Sequence, residues 1–208
     1  MRYRLVIVVL VIVMIMGLFI LTHRSESKVE VSSENPTEFV VTIEDSGRSM
    51  LAEGDSLRKA FKFNEAIPYY QNVVDMDGIY SNLKAEAQYY IGLCTIWKGE
   101  FDKAENIYQQ MLQTYDDDGE AVANSQYCLA WLEVQNEEYY SAIDRLQNML
   151  NVKTCYDEEL YARTQFKIGN VYLSFLNNRA KANEAFRKVM SDYPDSYEAR
   201  HPYLDPLR

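Results

Sequence analysis

The sequence predicts an all-α protein, a solenoid of about four helical hairpins behind one N-terminal membrane helix. Two observations carry the solenoid. The segment Ala87-Gln88-Tyr89-Tyr90-Ile91-Gly92 recurs as Ser125-Gln126-Tyr127-Cys128-Leu129-Ala130 and again as Thr164-Gln165-Phe166-Lys167-Ile168-Gly169, at steps of 38 and 39 residues. Behind each copy stands a small residue, Ala104, Ala142 or Ala182, and four residues further a large apolar one, Tyr108, Leu146 or Phe186. A fixed period of this size marks stacked supersecondary units, none of which buries its apolar face alone. The third observation is the uncharged run from Leu5 to Leu21, flanked by Arg2 and Arg4 before it and Arg24 after it.

Taken in chain order, that run spans roughly 25 Å as a helix at about 1.5 Å per residue. It is long for a signal-peptide core, and no small-x-small cleavage site follows it in Phe19-Ile20-Leu21-Thr22-His23-Arg24. Residues 1–22 are therefore expected to be an uncleaved signal anchor. The flanking positive charges predict a cytoplasmic N-terminus, with the bulk of a single-pass protein outside the cytoplasm. Residues 23–45 are rich in Ser and Glu, contain Pro36 and show no helical period, so a flexible tether is expected. One apolar island, Phe39-Val40-Val41-Thr42-Ile43, interrupts it, either as a short strand or as a docking segment.

Residues 46–208 are expected to form the repeat domain. Its second helices carry apolar or small residues at three- and four-residue steps: Ala104, Ile107, Tyr108, Met111, Leu112 and Tyr115 in one, Ala142, Ile143, Leu146, Met149 and Leu150 in the next, and Ala185, Phe186, Val189, Met190 and Tyr193 in the last. An earlier, diverged unit has Gly54, Ala66, Tyr70 and Val73, with Asn64 as the expected cap. Gly54, Gly92, Ala130 and Gly169 then share one position. There a small residue is expected to let the first helix cross close to the alanine of the second. In Trp97-Lys98-Gly99-Glu100-Phe101-Asp102, Gly99 is expected to end the first helix, Phe101 to pack under the turn and Asp102 to cap the second.

Composition narrows the function. The net charge is −10, and three basic residues but no acidic ones precede Glu26. No basic stripe exists for a nucleic acid. The two histidines, His23 and His201, stand in no recognisable catalytic motif, so an enzyme is not expected. The acidic loops at Asp75-Met76-Asp77-Gly78 and Asp116-Asp117-Asp118-Gly119 fail as calcium loops, because Lys84 and Ser125 fall where the twelfth-position carboxylate is needed. No metal or cofactor is expected, and Cys94, Cys128 and Cys155 are read as free thiols.

These residues resemble the tetratricopeptide repeat family. Gly92, Gly99, Phe101, Ala104 and Tyr108 match its pattern in the second unit, and Ala182, Phe186 and Pro194 match its end in the fourth. The period is longer than the family's, the extra residues falling where hairpins join. The Ala-x-Tyr opening and the Tyr193-Pro194-Asp195-Ser196 ending are similar to bacterial cell-envelope members of the Tol–Pal coordinator and outer-membrane assembly lipoprotein groups. The layout is also similar to the ancillary periplasmic subunit of the Sec translocon. The resemblance implies a right-handed α-solenoid that holds a protein or peptide partner on its concave face. Carried over position by position, that face comprises Tyr89, Leu93, Ile96 and Trp97, then Asn124, Tyr127, Trp131 and Val134, then Arg163, Phe166, Asn170 and Leu173. Aromatic and Arg anchors there suit peptide holding. The implied protein is a membrane-anchored scaffold, periplasmic if bacterial. The competing readings are a self-assembling structural protein forming a homo-oligomer, and a chaperone-like helper of a translocation machine.

Overall fold

The computed structural model describes residues 36–207, so the predicted signal anchor at residues 1–22 lies outside the described residues. Eight α-helices follow one another: α1 (Pro36–Lys59), α2 (Phe63–Asp75), α3 (Ser81–Trp97), α4 (Phe101–Thr114), α5 (Gly119–Gln135), α6 (Tyr139–Val152), α7 (Glu158–Ser174) and α8 (Arg179–Asp192). Two 3-10 turns, Glu198–Arg200 and Pro202–Leu207, close the chain. Helices α1, α3, α5 and α7 are the first (A) helices of four hairpins, and α2, α4, α6 and α8 are the second (B) helices. The four-hairpin expectation therefore holds for the described residues. Helix α1 begins at Pro36, ten residues ahead of the expected start of helical structure at Ser46. The island Phe39-Val40-Val41-Thr42-Ile43 is thus helical backbone rather than a strand, and the C-terminal part of the expected tether belongs to α1. Pro at the first helical position loses no hydrogen bond.

The shared small position works differently from the expectation. A Cβ on Gly54 would lie 2.7 Å from the ring of Tyr70, and one on Gly92 would lie 2.5 Å from that of Tyr108. A Cβ on Gly169 would meet Phe186. The glycine accommodates the large ring of the B helix, not the alanine four residues before it. In the third hairpin Ala130 and Leu146, both fully buried in one cluster, replace the Gly–aromatic pair with a larger and a smaller partner. The Tyr rings are then tied by their hydroxyls. Tyr108 donates to the Tyr89 carbonyl at 3.4 Å, and Tyr70 to the Asp55 carboxylate at 3.3 Å.

Each turn within a hairpin uses one residue in the left-handed region: Phe61 (φ 60°), Gly99 (φ 77°), Glu137 (φ 65°) and Asn177 (φ 49°). The next N–H reaches back to a carbonyl of the helix's last turn: Lys62 to Leu57 at 2.9 Å, Glu100 to Thr95 at 3.1 Å and Glu138 to Glu133 at 2.8 Å. These are Schellman-type closures that satisfy otherwise orphaned carbonyls. The last turn is longer, with Asn178 N–H reaching Tyr172 O at 2.8 Å. Capping also departs from the expectation. Helices α2 and α4 start at Phe63 and Phe101, behind Lys62 and Glu100, whose side chains make no cap, so Asn64 and Asp102 lie inside the first turns. Side-chain caps occur at Asp118, which accepts from Glu120 and Ala121, at Asp157, which accepts from Leu160, and at Asn178, which accepts from Lys181.

The core is a chain of clusters, each spanning a hairpin and the helix after it. Leu51, Tyr70, Val73, Leu83 and Ile91 join α1, α2 and α3. Ala104, Tyr108, Met111, Leu129 and Leu132 join α4 to α5. Leu146, Leu160, Phe186 and Val189 continue into the last hairpin, where Ala199 and Leu204 of the 3-10 turns complete the cluster. Leu204 is fully buried. The C-terminal segment thus covers the apolar face that a further hairpin would otherwise cover.

Candidate functional site

The A helices present a face on which polar and aromatic residues recur at three- and four-residue steps. On α3 these are Asn82, Glu86, Tyr89 and Tyr90; on α5 they are Glu120 and Asn124, with Asp118 capping the helix start. Together with Ala85 and Ala121 they line a solvent-open cleft of about 150 Å³ between the N-terminal halves of α3 and α5. A second cleft lies between α1 and α3, lined by Arg48, Leu51, Ala52, Asp55, Glu86 and Tyr90. Glu86 and Tyr90 line both, so the two clefts adjoin at α3.

The residues expected on this face divide. Tyr89 and Asn124 meet in the first cleft. Tyr127 lies beneath the guanidinium of Arg163, whose Cζ stands 5.7 Å from the ring centroid, which links α5 to α7. Leu93 and Trp131 are packed against the cluster around Tyr108. Phe166 sits between Phe186, at 5.2 Å between ring centroids, and His201 of the C-terminal segment, at 5.4 Å. Asn170 is half-buried on α7.

The tryptophans take part in a hairpin-to-hairpin contact. Trp97, 64 % exposed, stacks on Phe63, the first residue of the preceding B helix, at 6.3 Å and 9°. Trp131 meets Phe101, the first residue of α4, edge to face at 5.8 Å. The third joint repeats the device with Phe175 stacked on Tyr139 at 4.9 Å. Aromatic pairs of this kind contribute about 0.5–1.5 kcal/mol beyond their buried area. Both tryptophans therefore have a cohesive role between hairpins.

Residues not singled out from sequence complete the site: Glu86, Tyr90, Asn82, Asp118 and Glu120, with Arg48, Asp55 and Arg58 at one end. Their signal was available in the i, i+4, i+8 spacing of Asn82, Glu86 and Tyr90, which places them on one helix face. Arg58 stands over the Tyr90 ring at 4.9 Å and donates to Asp55 at 2.6 Å. Burial opposes ionisation of Asp55, but hydrogen bonds from Lys59 and Arg58 outweigh it and hold the carboxyl below its ordinary value. Burial, followed by the Glu86 and Asp55 carboxylates, pushes the Tyr90 phenol up to about 12. Burial likewise raises the Tyr89 phenol. The tyrosines of this face are therefore neutral hydrogen-bonding groups at any physiological pH.

Elsewhere the chemistry is quiet. No group of His, Cys, Asp and Glu among the described residues could hold a metal ion. The thiols of Cys94 and Cys128 are buried, which pushes both up to about 11, well away from thiolate reactivity. Among the described residues no helix is long and apolar enough to cross a membrane.

Residues 86–118 and 163–196 match the family model described as Tetratricopeptide repeat, and the chain carries tetratricopeptide repeats at those two places. A comparison with the curated proteins gave no match. Among solved structures the chain is similar to MamA (residue 41 to the end) from Desulfovibrio magneticus RS-1, at 17% identity and a TM-score of 0.51 over 73% of this chain and 78% of that one. It is also similar to Podospora anserina kinesin light chain nearly identical TPR-like repeats, at 16% identity and a TM-score of 0.56 over 74% and 78% of the two chains. A further MamA crystal structure has 27% identity and a TM-score of 0.49 over 68% and 74%. The first two likenesses show the α-solenoid fold.

Proposed function

We propose that the protein is a non-enzymatic scaffold that holds a segment of a partner protein along its A helices. The carrying observation is the adjoining pair of clefts along α1, α3 and α5, whose walls include tyrosine rings, amides and carboxylates rather than forming a closed apolar pocket. The tetratricopeptide fold supports the same reading, since stacked hairpins create an extended surface with no catalytic centre of its own. The binding face centres on Tyr89, Tyr90 and Asn124, with Tyr127 and Arg163 continuing it towards α7.

In the same proposal residues 1–22 anchor the protein in a membrane as a single-pass helix, with the repeat domain on the extracytoplasmic side. The apolar run from Leu5 to Leu21 and its flanking arginines support this.

The cleft reading is tested by filling the cleft. Asn124→Trp in the full-length chain is expected to abolish capture of partner proteins, while Gln109→Trp, on the exposed face of α4, leaves capture intact. Equal capture by the two folded variants would remove the cleft from the proposal.

A further inference from the structure

We infer that the cleft between α3 and α5 receives a positively charged side chain, lysine or arginine, from a basic segment of the partner protein. The inference rests on the reading of the A-helix face as a protein-binding surface and adds the partner's chemistry. Its grounds are the sign of charge, the ring geometry and the adjoining α1–α3 cleft.

Three carboxylates line the cleft, Glu86 from α3 and Asp118 and Glu120 from the start of α5, and none of its lining residues is basic. The α3 and α5 helix starts bring roughly half a positive charge each. Asp118 already accepts from the Glu120 and Ala121 amides at 3.1 Å, which satisfies the α5 end. Glu86 and Glu120 are exposed at the rim, so the charged side chains lining the cleft are all acidic. Arg163 acts on Tyr89 from the α7 side, and the cations on the α1 side are paired with carboxylates of α1. Arg48 pairs with Glu44, and Arg58 and Lys59 pair with Asp55.

The walls add a second preference. Tyr89 and Tyr90 stand 5.4 Å apart between ring centroids and both border the space. On either side of them the chain itself sets a guanidinium over a tyrosine: Arg58 over Tyr90 from α1, and Arg163 over Tyr127 from α7. Each neighbouring joint thus sets a cation above a ring, α1 reaching forward to Tyr90 and α7 reaching back to Tyr127. At the α3–α5 joint the corresponding space is an open cleft with carboxylates at its rim. A cationic side chain entering there gains a ring face and carboxylate partners together. The adjoining α1–α3 cleft, on the other side of Glu86 and Tyr90, offers a place for the following residues of the partner segment. The overall charge of −10 favours encounter with a basic segment.

The test uses the full-length chain and three labelled probe peptides of equal length: alternating Ala-Lys, the same peptide with every lysine acetylated, and alternating Ala-Glu. Fluorescence anisotropy is expected to show binding of the lysine peptide and at least tenfold weaker binding of the other two. Glu86→Gln together with Glu120→Gln is expected to weaken the lysine peptide about fivefold. Asp144→Asn, on the exposed face of α6, is expected to leave it unchanged. Equal binding of the acetylated peptide, an unaffected Glu86/Glu120 double variant, or an equal loss in Asp144→Asn would each overturn the inference. If Asn124→Trp abolishes partner capture while the Glu86/Glu120 double variant captures normally, the cleft remains the binding surface and the cationic partner is rejected.

Discussion

Gly92 has no room for one more carbon, since its Cβ would stand 2.5 Å from Tyr108, a ring that is fully buried and cannot swing away. Helix propensity alone favours Ala over Gly by about 1 kcal/mol, but overpacking a core costs roughly 1–3 kcal/mol. Gly92→Ala is therefore expected to be net destabilising in urea unfolding. Adding Tyr108→Leu should recover part of the loss, because the third hairpin uses that combination in Ala130 and Leu146. A double variant no more stable than Gly92→Ala would show that the ring is not what the glycine accommodates. The repeated small position was legible in sequence because glycine and alanine recur at a fixed step. Its partner was not, because the alanine and the aromatic of the B helix lie one turn apart on the same face, and only coordinates show which of them meets the glycine. The ring contacts of the tryptophans were not legible for a related reason. A solvent-facing aromatic on an A helix looks the same in sequence whether it faces a ligand or the first residue of the preceding B helix.

At the scale of single elements, the turns within hairpins carry the left-handed residue at Phe61, Gly99, Glu137 and Asn177, and only one of the four is glycine. An L-residue pays roughly 1–2 kcal/mol for that conformation. Glu137→Gly is expected to stabilise the protein by about 1 kcal/mol, read from the denaturant midpoint. An unchanged or lowered midpoint would contradict the turn geometry. Gly99 announced its turn in the sequence, whereas Phe61 and Glu137 did not, because the geometry there is imposed by hairpin packing rather than by residue preference.

The C-terminal segment is a second element with its own prediction. Glu198 is half-buried against α7, where the Tyr197 amide donates to Glu159 at 3.1 Å. Burial foremost, then the Glu159 carboxylate, raises the Glu198 carboxyl above its ordinary value of 4.5, against the pull of Arg163. A carboxyl raised in the folded state stabilises the protonated form. The contribution is fully present below 4.5 and is lost as pH climbs through the raised value. Hydrogen exchange in residues 196–204 should thus accelerate, relative to the rest of the chain, as pH rises from about 4 to 7, once the intrinsic pH dependence is removed. Glu198→Gln should flatten that dependence. A variant with the wild-type profile would contradict the assignment.

On the scale of the whole molecule, the core runs from hairpin to hairpin, and Tyr89, Leu93 and Trp131 of the A-helix face pack against it. Each hairpin closes on the next, and the last is covered by Leu204 and Ala199. Leu204→Ala is expected to cost about 2–5 kcal/mol, the range for emptying a buried leucine site. Its unfolding should begin in the last hairpin, as hydrogen exchange would show. The four-hairpin architecture was visible in the sequence from its period, and the A-helix face from the spacing on each helix. The cleft was only half visible, because it is formed by residues of two adjacent repeats. Glu86 and Glu120 read separately are ordinary solvated charges, and they become a common rim only when α3 and α5 stand side by side.

The most direct measurement is site-specific photo-crosslinking in living cells. A photoreactive amino acid is placed at position 124 in the cleft, or at position 109 on α4, of the full-length chain. A discrete crosslinked partner protein at 124, absent at 109, is the expected result. Crosslinking at 109 but not 124, or none at 124 in a folded and expressed protein, would contradict the assignment of the A-helix face as the binding surface.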